Sequence, residues 1–179
     1  VATAPGREIM QRLVAQSDVV VTNILDDTAL RMGVTHAQLQ ASNPKVVSCQ
    51  ASAWGGSYRG GWERRQGVDM TILAETGIQA HFGSLEWPQY FGLGSVVDSF
   101  TATAAAFTSL LGVWQQRRTG YAGEARTSLV RGNSFFQLPW MIGENGNCEW
   151  GEARGQFAVG ESWHQRMYQC RDGWIYVGT

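Results

Sequence analysis

Residues 92–120, GLGSVVDSFTATAAAFTSLLGVWQQRRTG, constrain the fold more than any other part of the chain. Phe100, Phe107, Leu110, Leu111 and Trp114 recur at helical spacing, which predicts a long helix burying one apolar stripe. Ala102, Ala104, Ala105 and Ala106 are good helix formers of small volume and let that helix pack close to its neighbours. Arg117 and Arg118 complement the helix C-terminus, and Gly120 is the residue expected just past its end. At the other end stands a single carboxylate, Asp98, behind a glycine-containing turn.

A helix of this length needs a core to lie against. The 179 residues form one domain by ordinary priors, and 44% hydrophobic content with eight Trp places the chain among globular proteins. Fourteen basic residues against 15 acidic ones give no reason to expect nucleic acid or an anionic membrane as a partner. Cys49, Cys148 and Cys170 are odd in number and widely spaced, matching neither a disulfide framework nor a metal or redox motif, so a reducing, cytoplasmic setting is expected. No unbroken apolar run approaches the ~18 residues of a membrane span. The chain opens on Val1 without methionine and closes just after a strand at 174–177, so both ends read as cut.

Ahead of the long helix the pattern alternates. An amphipathic helix over 6–16, a β-branched strand over 18–22, two short helices over 27–32 and 35–42, and a strand over 45–53 are expected, with Thr35 as an N-cap. This order favours an α/β fold with a mostly parallel sheet and flanking helices, with ligands near the strand ends. The loop 54–67, with five glycines and three arginines, is a solvated or a binding loop. Beyond it come a helix over 68–82, the long helix, a half-exposed strand over 124–130 and a helix over 133–142. In domain terms, 1–142 read as a large-domain portion, 143–166 as a Gly, Glu and Asn-rich linker, and 167–179 as the start of a small domain, a β-hairpin turning at Asp172-Gly173.

Several familiar sites are excluded by inspection. Gly92-Leu93-Gly94 lacks the third glycine of a dinucleotide fingerprint, no Gly-Lys-Ser/Thr is present, and Ser57 lacks the spacing of a hydrolase elbow. His36, His81 and His164 are isolated, so no metal site is expected. Asp98 remains. Aspartate before a helix is commonly an N-cap, while a helix N-terminus also holds a carboxylate ionised, and such a carboxylate can attack an activated acyl group. The two roles are compatible.

The segments SDVVVTN, RMGVTHAQLQASNPKVVSCQASAWGG, GVDMTILAETG and LGSVVDSFTATAAAFTSLLGVWQQRRTGYAGEARTSLV, in this order, resemble the class III CoA-transferases of the CaiB/BaiF type. That group includes formyl-CoA transferase, the carnitine CoA-transferases and 2-methylacyl-CoA racemase. The likeness covers most of 6–142 and, more weakly, the terminal strand pair, and it implies part of a Rossmann-like large domain. It puts Asp98 on the catalytic aspartate that forms a mixed anhydride with the acyl group and then an enzyme-bound CoA thioester. It puts Asn23, Arg31 and Met32 on positions lining the coenzyme A site. Acyl-CoA and a carboxylic acid are the implied substrates, no metal is called for, and an interlocked homodimer is the implied assembly.

Departures from the family pattern carry expectations of their own. Ile24-Leu25-Asp26-Asp27 replaces an aromatic residue and a Pro-Gly turn, bringing two negative charges toward a polyanionic ligand, which should weaken its binding. Val68 stands where many transferases have tyrosine and racemases a catalytic histidine; valine is neither acid nor base, so racemisation is disfavoured. The segment 155–162 has fewer glycines than the loop that some transferases close over the aspartate. Transfer of CoA between carboxylic acids is the leading reading. The alternatives are a shortened, non-catalytic module that binds acyl-CoA or protein, and an acyl-CoA isomerase or lyase.

Overall fold

The computed structural model describes residues 3–55, 62, 65–84, 86–90, 95–138 and 158–178. They fall into two compact units, Val1–Ile72 with Ser95–Asn133, and Leu73–Gly94 with Ser134–Thr179.

In the first unit, α1 (Ala4–Val14) starts at Thr3, whose hydroxyl accepts the Gly6 N–H at 3.3 Å. Strand β1 (Val19–Thr22) leads into α2 (Asp26–Met32), which ends at Gly33 in the left-handed region, φ 78°. Helix α3 (His36–Ser42) opens with a capping box between Thr35 and Gln38. Val14, Ala29, Val34, Leu39 and Val46 form the buried cluster between these elements, with Met10, Val20, Ile24 and Met32 against it. The Asn43 amide donates to the Val14 and Ser17 carbonyls, tying the chain before β2 (Val47–Ser52) to the end of α1.

The sheet order is β1-β2-β3, with β3 being Glu124–Ser128, and both pairings are parallel, Val19 opposite Val47 and Ser48 opposite Glu124. The expected mixed α/β architecture is therefore present. The helix expected over 68–82 is broken: α4 (Asp69–Glu75) stops, Gly77 takes φ 80°, and α5 (Ile78–Phe82) begins. Glycine adopts that conformation without strain, which ends one helix and lets another start. The strand expected to reach residue 130 ends at Ser128. The Ser128 hydroxyl accepts the Arg131 N–H at 3.2 Å, so Leu129 and Val130 open α7 (Leu129–Phe136) instead. The end of the helix expected over 133–142 lies outside the described residues.

The long helix α6 (Val96–Thr119) is where expected, but the face it buries is not. Val97, Thr101, Ala105 and Ser109, a row at four-residue spacing, face inward, whereas Phe107 is 62%, Leu110 69% and Trp114 58% exposed, with Phe100 and Leu111 also exposed. The cause is distance. A Cβ on Gly112 would lie 2.6 Å from Val47 Cγ1, and the Cys49 sulfur sits 3.7 Å from the Ala105 carbonyl oxygen, so only small side chains fit between α6 and β2. The inward hydroxyls stay satisfied because Thr101 and Ser109 donate to the carbonyls four residues earlier. With an 18-residue window of mean hydropathy 1.4, α6 is long and apolar enough by length and composition to cross a membrane, contrary to the expectation drawn from unbroken runs. Its close seat on the parallel sheet is that of a helix inside a folded unit.

In the second unit, β4 (Gly160–Ser162), β5 (Gln165–Gln169) and β6 (Trp174–Gly178) form an antiparallel sheet in that order. Gln169 pairs with Trp174, and the Cys170 N–H donates to the Gly173 carbonyl, so the hairpin turns over Asp172-Gly173 as expected. The sheet already begins at Gly160, inside the segment read as a linker; residues 143–157 lie outside the described residues.

Candidate functional site

A cavity of about 650 Å³ opens at the C-terminal ends of β1 and β2 beside the first turns of α6. Thr22, Asn23, Ser52, Val68, Asp98 and Thr101 line it together with the small residues of α6. Parallel strands put ligands at this edge because loops of different connections converge there. Asn23 and Asp98, 75 positions apart in the sequence, thus share one cavity. Val68 lines the same cavity with an exposed side chain and brings no proton donor or acceptor to it.

Asp98 is the third residue of α6, not its cap. The N-cap position belongs to Ser95, held at φ 55°, whose side chain makes no capping bond to the helix amides. The cap comes from elsewhere: Asp69 Oδ2 accepts the N–H of Val97 at 2.9 Å and of Asp98 at 3.2 Å. Asp69 was missed by sequence reasoning because its partners lie 28 and 29 positions away, and an acidic residue opening a helix looks like any other.

The electrostatics of Asp98 also depart from expectation. Partial burial and then the Asp69 charge push its carboxyl above the usual aspartate value, while a hydrogen bond from the Ser95 side chain pulls it down. The helix N-terminus was expected to hold the carboxylate ionised; in the folded chain its amides serve Asp69, and the net effect on Asp98 is the opposite one. A raised pKa makes the ionised carboxylate a stronger base and a stronger nucleophile.

Arg31 and Met32 do not join this cavity. Arg31 is exposed and its guanidinium donates to the Thr28 hydroxyl at 2.9 Å, one turn earlier on α2. Met32 packs against the cluster around Val14 and Leu39. Asp26, expected to repel a polyanion, is engaged instead. Its carboxylate accepts from the Gln50 amide at 2.7 Å and lies 3.5 Å from the Arg126 guanidinium, which Glu124 also holds. The same Gln50 amide donates to the Ile24 carbonyl at 2.9 Å, so β2 clamps the turn that carries Asn23. Asp27 remains exposed.

The loop over 54–67 is described in part. Trp54 and Trp62 stack at 4.7 Å, Arg65 lies 4.2 Å over Trp62, and Gly67 lines the cavity so tightly that a Cβ would be 2.7 Å from Ala53 Cβ. His36 shares a 2.8 Å hydrogen bond with Ser48 across α3 and β2, a structural role.

The family model described as CoA-transferase family III matches residues 1–179. The chain is 31% identical over its whole length to the CoA-transferase/lyase DddD of Marinomonas sp. (strain MWYL1), covering 21% of that protein. It is 30% identical over 118 residues, 66% of the chain, to the succinyl-CoA–D-citramalate CoA-transferase of Chloroflexus aurantiacus, covering 29% of it. The chain thus spans well under a third of the length of these curated relatives. Among solved structures, a CAIB/BAIF family protein from Brucella suis superposes over 98% of the chain and 46% of its own with a TM-score of 0.79 at 24% identity, and Rv3272 from M. tuberculosis over 76% and 37% with a TM-score of 0.69 at 24% identity. At that identity these structures establish the fold.

Proposed function

Because the chain belongs to CoA-transferase family III, we propose that it supplies the reacting carboxylate of a CoA transfer between carboxylic acids, with Asp98 as the nucleophile. The observation that carries this reading is the placement of Asp98 with Asn23 in one cavity at the C-terminal edge of a parallel sheet. An Asp98 oxygen attacks the thioester carbonyl of an acyl-CoA and expels the CoA thiolate, leaving a mixed anhydride. The thiolate then attacks the aspartyl carbonyl, releasing the first acid as its carboxylate and leaving CoA on Asp98. A second carboxylate attacks that thioester, and the freed thiolate takes the new acyl group from the anhydride, returning Asp98 unchanged. Asn23 offers an amide to orient the acyl group. Arg31, at the surface of α2, is available to a phosphate of the coenzyme in exchange for its bond to Thr28.

Asp98→Ala should abolish exchange of CoA between acids, and hydroxylamine should trap an acyl-enzyme in the parent protein but not in the variant. Retained exchange in Asp98→Ala overturns the assignment. The second reading is an acyl-CoA lyase, favoured by the name of the Marinomonas relative; it predicts product release without any hydroxylamine-sensitive intermediate. A non-catalytic binding module would instead show only ligand-dependent melting, with about 2.7 kcal/mol of stabilisation at 100 times the dissociation constant for free CoA. We further propose self-association as a homodimer, supported by the row of large exposed side chains on α6, since contiguous apolar surface marks association sites.

A further inference from the structure

Asp69 is 6% exposed, and of its two oxygens one receives both N-terminal amides of α6 while the other, Oδ1, is buried without a hydrogen-bond partner among the described residues. A buried carboxylate is retained at a helix start only if the bonds it accepts offset its desolvation. Here those bonds go to the backbone of Asp98 and of the residue before it. Ser95 cannot take over the task, because its left-handed backbone leaves its side chain without a capping bond.

We propose that Asp69 is a positioning residue for Asp98: it fixes the nucleophile's backbone and occupies the helix amides, denying their positive field to both Asp98 and the acyl group. The proposal rests on the reading of Asp98 as nucleophile and deepens it. An unoccupied helix N-terminus would stabilise the ionised carboxylate and blunt its attack. With Asp69 in place, Asp98 faces a like charge instead, and its carboxyl titrates above the usual aspartate value.

Charged groups on the surrounding elements leave this pairing to itself. Glu75, the other acid of α4, is exposed, and Arg131 of α7 turns its guanidinium to the Arg126 carbonyl. Arg126 and Asp26 pair with each other, Arg65 lies over Trp62, and Arg117 and Arg118 stand in the last turn of α6. The other residues lining the cavity carry no titratable side chain.

Asp69→Asn keeps the acceptor oxygen and removes the charge; Asp69→Ala removes both. In the full chain, the Asp98 carboxyl is followed by carbon-13 NMR across pH, alongside the kcat and KM of CoA exchange. A lower titration midpoint of Asp98 in Asp69→Asn is expected, together with a fall in kcat of about 10²-fold in Asp69→Ala and little change in KM. An unchanged midpoint in Asp69→Asn overturns the proposal, as does wild-type kcat in a folded Asp69→Ala. Should Asp69→Ala not fold, the near-isosteric Asp69→Asn decides alone. A lowered midpoint in Asp69→Asn alongside full activity in Asp98→Ala would leave the Asp69–Asp98 coupling standing and remove the nucleophile reading.

Discussion

The two faces of α6 are built on opposite rules. Toward the sheet stand Ala105, Ser109 and Gly112, small enough for the helix to rest on Val47 and Cys49; away from it stand Phe107, Leu110, Leu111 and Trp114, large, apolar and exposed. Hydrophobicity alone would bury the second face. Close approach to a parallel strand selects the first, because a layer of Ala and Gly brings backbone within reach of backbone and gains dispersion contacts that larger side chains would hold apart. The lesson concerns what volume decides and what polarity does not.

The sharpest way to break this contrast is Gly112→Leu. Its Cβ alone would meet Val47 Cγ1 at 2.6 Å, and the resulting overpacking should cost about 1–3 kcal/mol, read as a lower urea midpoint with an unchanged slope. Next comes the cap of the same helix: Asp69→Ala leaves the Val97 and Asp98 amides without their acceptor and should cost about 0.5–2 kcal/mol in the same measurement.

On the outward face, Leu110→Gln should stay within about 0.5 kcal/mol of the parent, since no close contact to the sheet is lost. The pair Leu110→Glu and Trp114→Glu should shift the protein toward monomer in light scattering, because two charges are then placed on the surface proposed to self-associate. A Gly112→Leu variant as stable as Leu110→Gln would refute the assignment of the two faces.

The smallest effect is at Asp98. Its folded pKa is raised, so the folded state holds its proton to higher pH than the unfolded chain does. The stability this contributes is complete below the unfolded carboxyl value of about 3.9 and is lost as pH rises through the folded value. Asp98→Asn should therefore raise the melting temperature slightly near neutrality and leave it unchanged near pH 3 or below, about where both states are protonated. An equal effect at both pH values would show that the charge of Asp98 is not responsible.

Much of the fold was legible wherever the signal is local. Thr35 announced α3 through its own capping box, Asp172-Gly173 announced the β5–β6 hairpin, and the β-branched runs at 19–22 and 47–52 announced strands of a parallel sheet. Boundaries failed where one side chain or one backbone angle decided them: Gly77 splits the helix after the loop, and the Ser128 hydroxyl starts α7 four residues early. At the site, Asp98 stood out because a lone carboxylate heads a long helix. The partners of Asp69 and of Asp26 were invisible, since Val97 and Arg126 come to them from 28 and 100 positions away.

By itself, then, the sequence determined the order of helices and strands, the parallel sheet and the family, because periodicity, caps and turn residues act within a few positions of one another. Tertiary structure decided which face of α6 is buried, which carboxylate caps that helix and in which direction the Asp98 pKa moves. Those outcomes depend on distances between segments remote in the chain, and a distance of 2.6 Å at Gly112 or 2.9 Å at Val97 has no counterpart in a linear pattern.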